Sequence, residues 1–320
     1  MTLTIGVDIG GSSVEAAARD LAGEIVGRHR IRLTMDGGPQ VAKAAVSAVR
    51  ELGIDDFGAV GIGVPGQVHQ RDGAVSLAVN LGIGSVPFDL VGPIEAEFER
   101  PVVIENDVRV AALGAWETFA RAGRGVESVA VVSVGTGISA GVVVDGVVLR
   151  GARGMAGEIG HVVVDENGPV CGCSQRGCLE AVAAGPAIGR VWPRGDRPEA
   201  ASALFAAVDA GDAAAETVAR RITGHLTKAL IWMAATHDPE VFVLAGGVPS
   251  VGDVFLRMMR EQISQRAATS ELAARRLSPE QVVLADPNDP PGPRGAALLA
   301  ARTILQERAE LPAAPIANNQ

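Results

Sequence analysis

His161, Cys171, Cys173 and Cys178 are spaced His-x9-Cys-x-Cys-x4-Cys, and these are the chain's only three cysteines. Three thiolates and one imidazole form a four-donor tetrahedral set suited to zinc. Such a set leaves no open position, so the expected metal is structural. The plainer alternative is three loop cysteines beside an unrelated histidine. The crowding of all three around Gly172 and Gly177 favours the metal. An odd number of thiols and a reducing compartment also disfavour disulfides.

Two glycine turns form a second kind of site. Asp8 is followed by Gly10-Gly11-Ser12, and Gly135-Thr136-Gly137 repeats the device further along. Backbone N–H groups in a tight glycine turn can approach phosphate oxygens closely, and a carboxylate at a strand end can hold Mg²⁺. Either turn alone is more often just a hairpin. A pair of them suits a triphosphate. Neither is a Gly-Lys-Ser/Thr loop or a dinucleotide fingerprint.

Glu105-Asn106-Asp107 follows an apolar run. A carboxylate there, beside an amide, suits binding and deprotonating a hydroxyl; the alternative is that Asp107 caps the next helix. Glu158, His161 and Glu180 surround the cysteine loop. Carboxylates on a rigid loop accept from the hydroxyls of a polyhydroxylated ligand, or else are ordinary surface charges. Trp116 and Trp232 fit helical core positions.

These residues need elements to position them. Apolar β-branched runs predict strands over 3–9, 14–19, 24–33 and 57–64, with helical spacing at 40–52. Helix over 92–99, strand over 102–105 and helix over 108–121 follow. A second series gives strands at 128–134 and 138–144, an Asp145-Gly146 turn and a return strand. Mostly helical sequence covers 199–237, and a strand at 240–244 ends in Ala245-Gly246-Gly247. The Pro- and Asp-rich stretch 286–294 reads as a loop before a helix over 295–308, and the tail after 311 as disordered. Strand, glycine turn and strand thus occur twice, a sign of duplication in an α/β chain.

Composition agrees. The chain has 320 residues, 48% hydrophobic and 20% charged, enough for a large core and a prior of two domains. A net charge of -9 argues against nucleic acid as the main partner. No apolar run reaches the roughly 18 residues of a membrane span, and no secretory signal opens the chain, so a cytoplasmic location is expected.

Taken in order, the segments IGVDIGGSSVEAAARD, IENDVRVAALGAWE, SVGTGISAGVVVDG, GMAGEIGHVVVDENGPVCGCSQRGCLEA, VFVLAGGV and PRGAALLA resemble the ROK family of repressors, open reading frames and sugar kinases. The resemblance runs from Ile5 to about Ala301, and the cysteine segment is its most specific part. It implies a two-lobed actin-like, ribonuclease-H-like ATPase fold. The expected lobes are 1–122, completed by 295–310, and 123–294. It implies transfer of phosphate from ATP to the 6-hydroxyl of a hexose, glucose first, with Mg²⁺ and structural zinc. N-acetylmannosamine or N-acetylglucosamine kinase, or a non-catalytic sugar-binding protein, are the alternatives.

Carried over residue by residue, Asp107 would be the general base. Asn106, Glu158, His161 and Glu180 would contact sugar, with Gly66, Gln67 and Asn80 as further candidates. Asp8, Gly10, Gly11, Ser12, Gly135, Thr136 and Gly137 would serve Mg²⁺ and phosphates. Gly246 and Gly247 would lie near the adenosine. The sugar is expected between the lobes, and the family implies a homodimer or homotetramer. Family repressors carry a DNA-binding segment ahead of these lobes; here the first phosphate strand begins at residue 3. The chain departs from the pattern at Ser13 (commonly Lys), Arg109 (commonly Asn) and Ser174 (commonly Gly), and Gly82-Ile83-Gly84 lacks the Pro and Trp often found after Asn-Leu.

Overall fold

Alternation between β-branched runs and Ala-rich stretches with helical spacing produces an α/β protein. The computed structural model describes residues 3–33, 37–192 and 200–310. The tail expected after 311 lies outside the described residues. In chain order the elements are β1 (Leu3–Ile9), β2 (Ser13–Arg19), β3 (Ile25–Arg32), α1 (Gly38–Arg50), β4 (Phe57–Val64), β5 (Gln67–His69), β6 (Ala74–Ser76), β7 (Phe88–Asp89), α2 (Val91–Phe98), β8 (Val102–Asn106) and α3 (Asp107–Arg121). Then come β9 (Ser128–Val134), β10 (Ile138–Val144), β11 (Val147–Val148), α4 (Leu179–Ala183), α5 (Gly185–Val191), α6 (Ala200–Asp209), α7 (Ala213–His237), β12 (Val241–Ala245), α8 (Asp253–Ala267), α9 (Glu271–Arg276), β13 (Val282–Leu284) and α10 (Pro291–Glu310). No described helix is long and apolar enough to cross a membrane.

The chain divides into two compact units, residues 3–110 with 292–310 and residues 111–291. The first unit's main sheet has the order β3-β2-β1-β4-β8, the second's β11-β10-β9-β12-β13. In each, three antiparallel strands are followed by two parallel ones. The same plan built twice is the actin-like, ribonuclease-H-like ATPase fold. A small sheet, β5-β6-β7, is inserted in the first unit between β4 and α2.

Each unit has its own core. In the first, Ile5, Val7, Val60, Ile62 and Ile104 face Val41, Ala45 and Val49 of α1. In the second, Val132, Phe242 and Leu244 pack with Leu226, Leu230 and Met233 of α7 and Phe255 and Met259 of α8. α7 starts on Asp212, whose side chain accepts from the N–H groups of Ala214 and Ala215 at 2.9 and 3.1 Å. A cap of this kind contributes about 1 kcal/mol.

The other face of the first sheet meets α10 without side chains between. A Cβ on Gly6 would collide with the backbone of Pro293 and Ala297, and one on Gly61 with that of Ala296. Glycine at these two positions lets the helix lie directly on β1 and β4. α10 also begins earlier than its Pro- and Asp-rich approach predicts, because Pro291 and Pro293 occupy a first turn, where the missing N–H costs nothing. Trp232 differs from expectation too: it is 42% exposed on α7, whereas Trp116 is half-buried and donates its Nε1–H to the Val126 carbonyl at 3.1 Å.

Gly61→Ala should lower stability by about 2–3 kcal/mol in urea denaturation, since backbone rather than a mobile side chain must move. Gly125→Ala, where a Cβ meets nothing within 4 Å, should stay within about 0.5 kcal/mol.

Candidate active site and metal centre

In the first unit the site builds on the ends of β1, β4 and β8. Asp8 is the Cα partner of Gly63, and Gly63 that of Glu105. A Cβ on Gly63 would collide with the Val110 side chain and lie 3.4 Å from both Asp8 Oδ1 and Asp107 Cα, so this glycine makes room for α3 and borders both carboxylate residues. Gly292, at the start of α10, is also closed to a side chain by the Asp8 carboxylate. Burial, then the neighbouring carboxylates of Asp107 and Glu15, pushes Asp8 from an ordinary 3.8 up to about 8; Arg30 pulls it the other way. A carboxyl so crowded with negative charge is a natural seat for a cation.

Asp107 opens α3, but the cap belongs to its neighbour. Asn106 Oδ1 accepts from the N–H groups of Val108 and Arg109 at 3.2 and 3.3 Å, and its amide donates to the Gly66 carbonyl at 3.4 Å. Below it lies a group that sequence reading passed over. Glu105, only 1% exposed, accepts from Arg109 Nη1 at 3.2 Å, from Gln70 Nε2 at 3.0 Å and from the Asn106 N–H at 2.9 Å. The i,i+4 spacing of Glu105 and Arg109 was a readable signal, masked because the pair straddles a strand end and a helix start. Gly66, with φ +98°, passes too close to the Ser76 carbonyl to carry a side chain. Gln67 begins β5, and Asn80 sits in the short turn Val79–Leu81, its Cβ 3.6 Å from where a Gly11 Cβ would be.

The glycine turns share one device. Gly10 N–H donates to the Ser13 carbonyl at 2.8 Å, and Gly135 N–H to the Gly137 carbonyl at 2.9 Å. Both first N–H groups are therefore spent in closing the turn, which leaves the donors at its tip. In the second unit Gly135 comes within 3.9 Å of the Gly247 N–H, measured from an added Cβ, so two of the predicted nucleotide turns meet. Gly246 has φ +96° and presses on the Val134 backbone. Glu180 Oε2 accepts from the Ile138 N–H at 3.0 Å, at the foot of the Thr136–Gly137 turn.

Glu158 and His161 flank a short turn laid along β10. Gly157 and Gly160 lie so close to the carbonyls of Ala140 and Ile138 that neither admits a Cβ, and Ala140 N–H donates to the Gly157 carbonyl at 2.8 Å. His161, Cys171, Cys173 and Cys178 each offer one donor atom, all within 4.8 Å of one another. Cys171 Sγ is 3.6 Å from His161 Nδ1, and Cys173 Sγ is 3.6 Å from Cys178 Sγ. The edges of a tetrahedron around zinc, with bonds of about 2.0–2.3 Å, are roughly 3.5–3.8 Å long. The donor set fits such an ion, and the sulfurs are too far apart for disulfides. Burial, then hydrogen bonds to the other two thiols, pushes Cys178 up to about 12, whereas a backbone hydrogen bond at Gln175 and then its thiol neighbours lower Cys173. Ser174 adopts φ +72°, a conformation glycine takes without strain.

The ROK family model matches residues 4–303. A glucokinase of Halalkalibacterium halodurans is 34% identical over 286 residues, 82% of this chain and 86% of that protein. An N-acetylmannosamine kinase of Yersinia pseudotuberculosis is 34% identical over 248 residues, 76% of this chain and 82% of its own. The crystal structure of a ROK family glucokinase from Streptomyces griseus, in complex with glucose and AMPPNP, is 29% identical with a TM-score of 0.78, covering 94% of this chain and 99% of that one. The chain belongs to the ROK family.

The Asp8 environment predicts a pH effect on folding in magnesium-free buffer. A carboxyl held near 8 when folded and near 3.8 when unfolded binds its proton more tightly in the native state. Its contribution to stability is complete below about pH 4 and is lost as pH rises through 8. Urea denaturation should therefore show Asp8→Asn gaining on the unsubstituted protein from pH 5 to 9; a difference constant with pH would contradict this reading of the site.

Proposed function

We propose that this protein is an ATP-dependent hexose 6-phosphotransferase whose first substrate is glucose. The observation that carries the reading is the arrangement at the end of β8. Asn106 caps the first turn of α3, and Asp107 follows it as the first carboxylate of the helix. Asp107 lies near enough to Asp8 for its charge to act on that carboxyl.

In the first unit, Asp107 is the general base. It accepts the proton of the sugar's 6-hydroxyl as that oxygen bonds to the γ-phosphorus of ATP. The bond from that phosphorus to the bridging oxygen breaks, and the products are the 6-phosphate ester and ADP. Little covalent chemistry is asked of the protein, so positioning and charge stabilisation supply most of the rate. The N–H groups of Gly11 and Ser12 receive phosphate oxygens, while Gly10 shapes the turn. Asn106 offers the remaining hydrogen of its amide to the sugar, and Gly66, Gln67 and Asn80 complete the contacts from this unit.

In the second unit, Gly135, Thr136 and Gly137 serve the phosphates and Gly246 and Gly247 the adenosine side. Glu158, His161 and Glu180 bind sugar hydroxyls. Asp8 would hold the Mg²⁺ that accompanies ATP; bound there, the cation supplies neutralisation of phosphate charge. His161, Cys171, Cys173 and Cys178 would hold zinc, which supplies folding energy and stiffness to the loop rather than a reacting water. The relatives' names support glucose first and N-acetylmannosamine second. A homodimer or homotetramer working in the cytoplasm fits the family.

A coupled ADP assay over a panel of hexoses, with ATP and then polyphosphate as donor, should show ATP-dependent turnover led by glucose. On that substrate Asp107→Asn should depress kcat by about 10²–10⁴-fold while the dissociation constant for glucose moves by less than about threefold. Near-normal turnover in the variant would remove Asp107 as the base. Native protein should contain one zinc per chain by metal analysis, and Cys178→Ser should lose both the metal and thermal stability. Zinc-free protein of full stability would contradict the structural metal.

A further inference from the structure

We propose that Arg32 is a phosphate-binding residue whose guanidinium meets the phosphate chain of the nucleotide received by the Gly10–Ser13 turn. This rests on the ATP-dependent reading above. β3 is an edge strand of the first sheet, and its exposed residues recur at every second position: Val26, Arg28, Arg30 and Arg32. Across the ladder, Arg32 is the Cα partner of Ser13 and Arg30 that of Glu15, which is in turn the partner of Asp8 on β1. Directly opposed residues point to the same face of a sheet. Side-chain contacts bear this out, since the Glu15 carboxylate lies 3.5 Å from Arg30 Nε and 4.0 Å from Arg28 Nη1. Arg32, Ser13 and Asp8 therefore share a face.

The end of β3 also lies against the turn itself, because the Leu33 N–H donates to the Ser12 carbonyl at 3.0 Å. Of the three arginines, Arg28 and Arg30 are committed to Glu15. Arg32 is exposed and has no ion pair or side-chain hydrogen bond among the described residues. The N–H groups of Gly11 and Ser12 likewise have no acceptor among them. An uncommitted guanidinium beside two uncommitted backbone donors, in a chain of net charge -9, is a local anion-binding arrangement. Charges spaced along an edge strand also guard against strand addition, and that accounts for the row as a whole. It does not account for the residue left unpaired being the one next to the turn. Position 13, where ROK relatives commonly carry lysine, holds only a hydroxyl here. Arg32 is placed to supply a cation from the neighbouring strand.

The test compares wild type, Arg32→Gln, Arg28→Gln and the double variant Arg32→Gln/Ser13→Lys. Binding of Mg-AMPPNP is measured by isothermal titration, and KM for ATP and for glucose by initial rates. Arg32→Gln should raise the nucleotide Kd and the KM for ATP about three- to tenfold, the range for an exposed charge-assisted contact, with the glucose KM within about twofold. Arg28→Gln should leave all three constants within about twofold. Adding Ser13→Lys should recover at least half of the loss, because the new ammonium occupies the same face. An unchanged nucleotide Kd in Arg32→Gln, a parallel rise in the glucose KM, or no recovery on adding Ser13→Lys would overturn the inference. A wild-type protein that phosphorylates no hexose would instead sink the kinase reading, and the titration would still judge Arg32.

Discussion

The first turn of α3 depends on the carbonyl oxygen of Asn106. A helix start leaves its first N–H groups without partners, and the side-chain oxygen of Asn, Asp, Ser or Thr commonly satisfies them. Here the amide side chain closes that turn at Val108 and Arg109. Asp107 thus sits at the positive end of a helix whose first turn its neighbour caps. Glu105 fixes the same segment from below, gripped by Arg109 on the helix and Gln70 on the β5–β6 hairpin. A buried ion pair of this kind contributes little net stability, but breaking one side of it strands a charge. Its value lies in holding one geometry.

Glycine sets the distances elsewhere. Gly6 and Gly61 admit α10 onto the sheet, Gly63 makes room for the Val110 side chain of α3, and Gly157 and Gly160 lay the Glu158–His161 turn along β10. Each is a place where a backbone meets another backbone or a side chain with no room for a methyl group. Burial, together with the nearby carboxylates of Asp107 and Glu15, gives Asp8 a raised affinity for a proton. The same crowding of negative charge makes the position receptive to a divalent cation.

Much of this was legible in the chain. The two strand–turn–strand segments foretold a duplicated α/β plan, and the cysteine spacing foretold a four-donor cluster, because both are local in sequence. Contacts between distant segments were not legible. Nothing about Gly61 reveals that Ala296 will lie on it, and Gln70 carries no mark of its bond to Glu105. The prolines ahead of α10 signal a loop in the sequence, although a first helical turn accepts them and the helix starts at Pro291. Trp232 was assigned to the core from its spacing on a helix, yet α7 turns it outward. The departure at Ser174 became intelligible only through its positive φ.

In the proposed reaction the Asp107 carboxylate takes a proton from one particular hydroxyl while phosphorus leaves ATP for that oxygen. The decisive measurement is phosphorus NMR of the product formed from glucose and ATP. A single ester at the 6-position is expected, formed in step with ADP and lost when Asp107 is replaced by Asn. An ester at another hydroxyl, or the same ester formed at an undiminished rate by the variant, would contradict it.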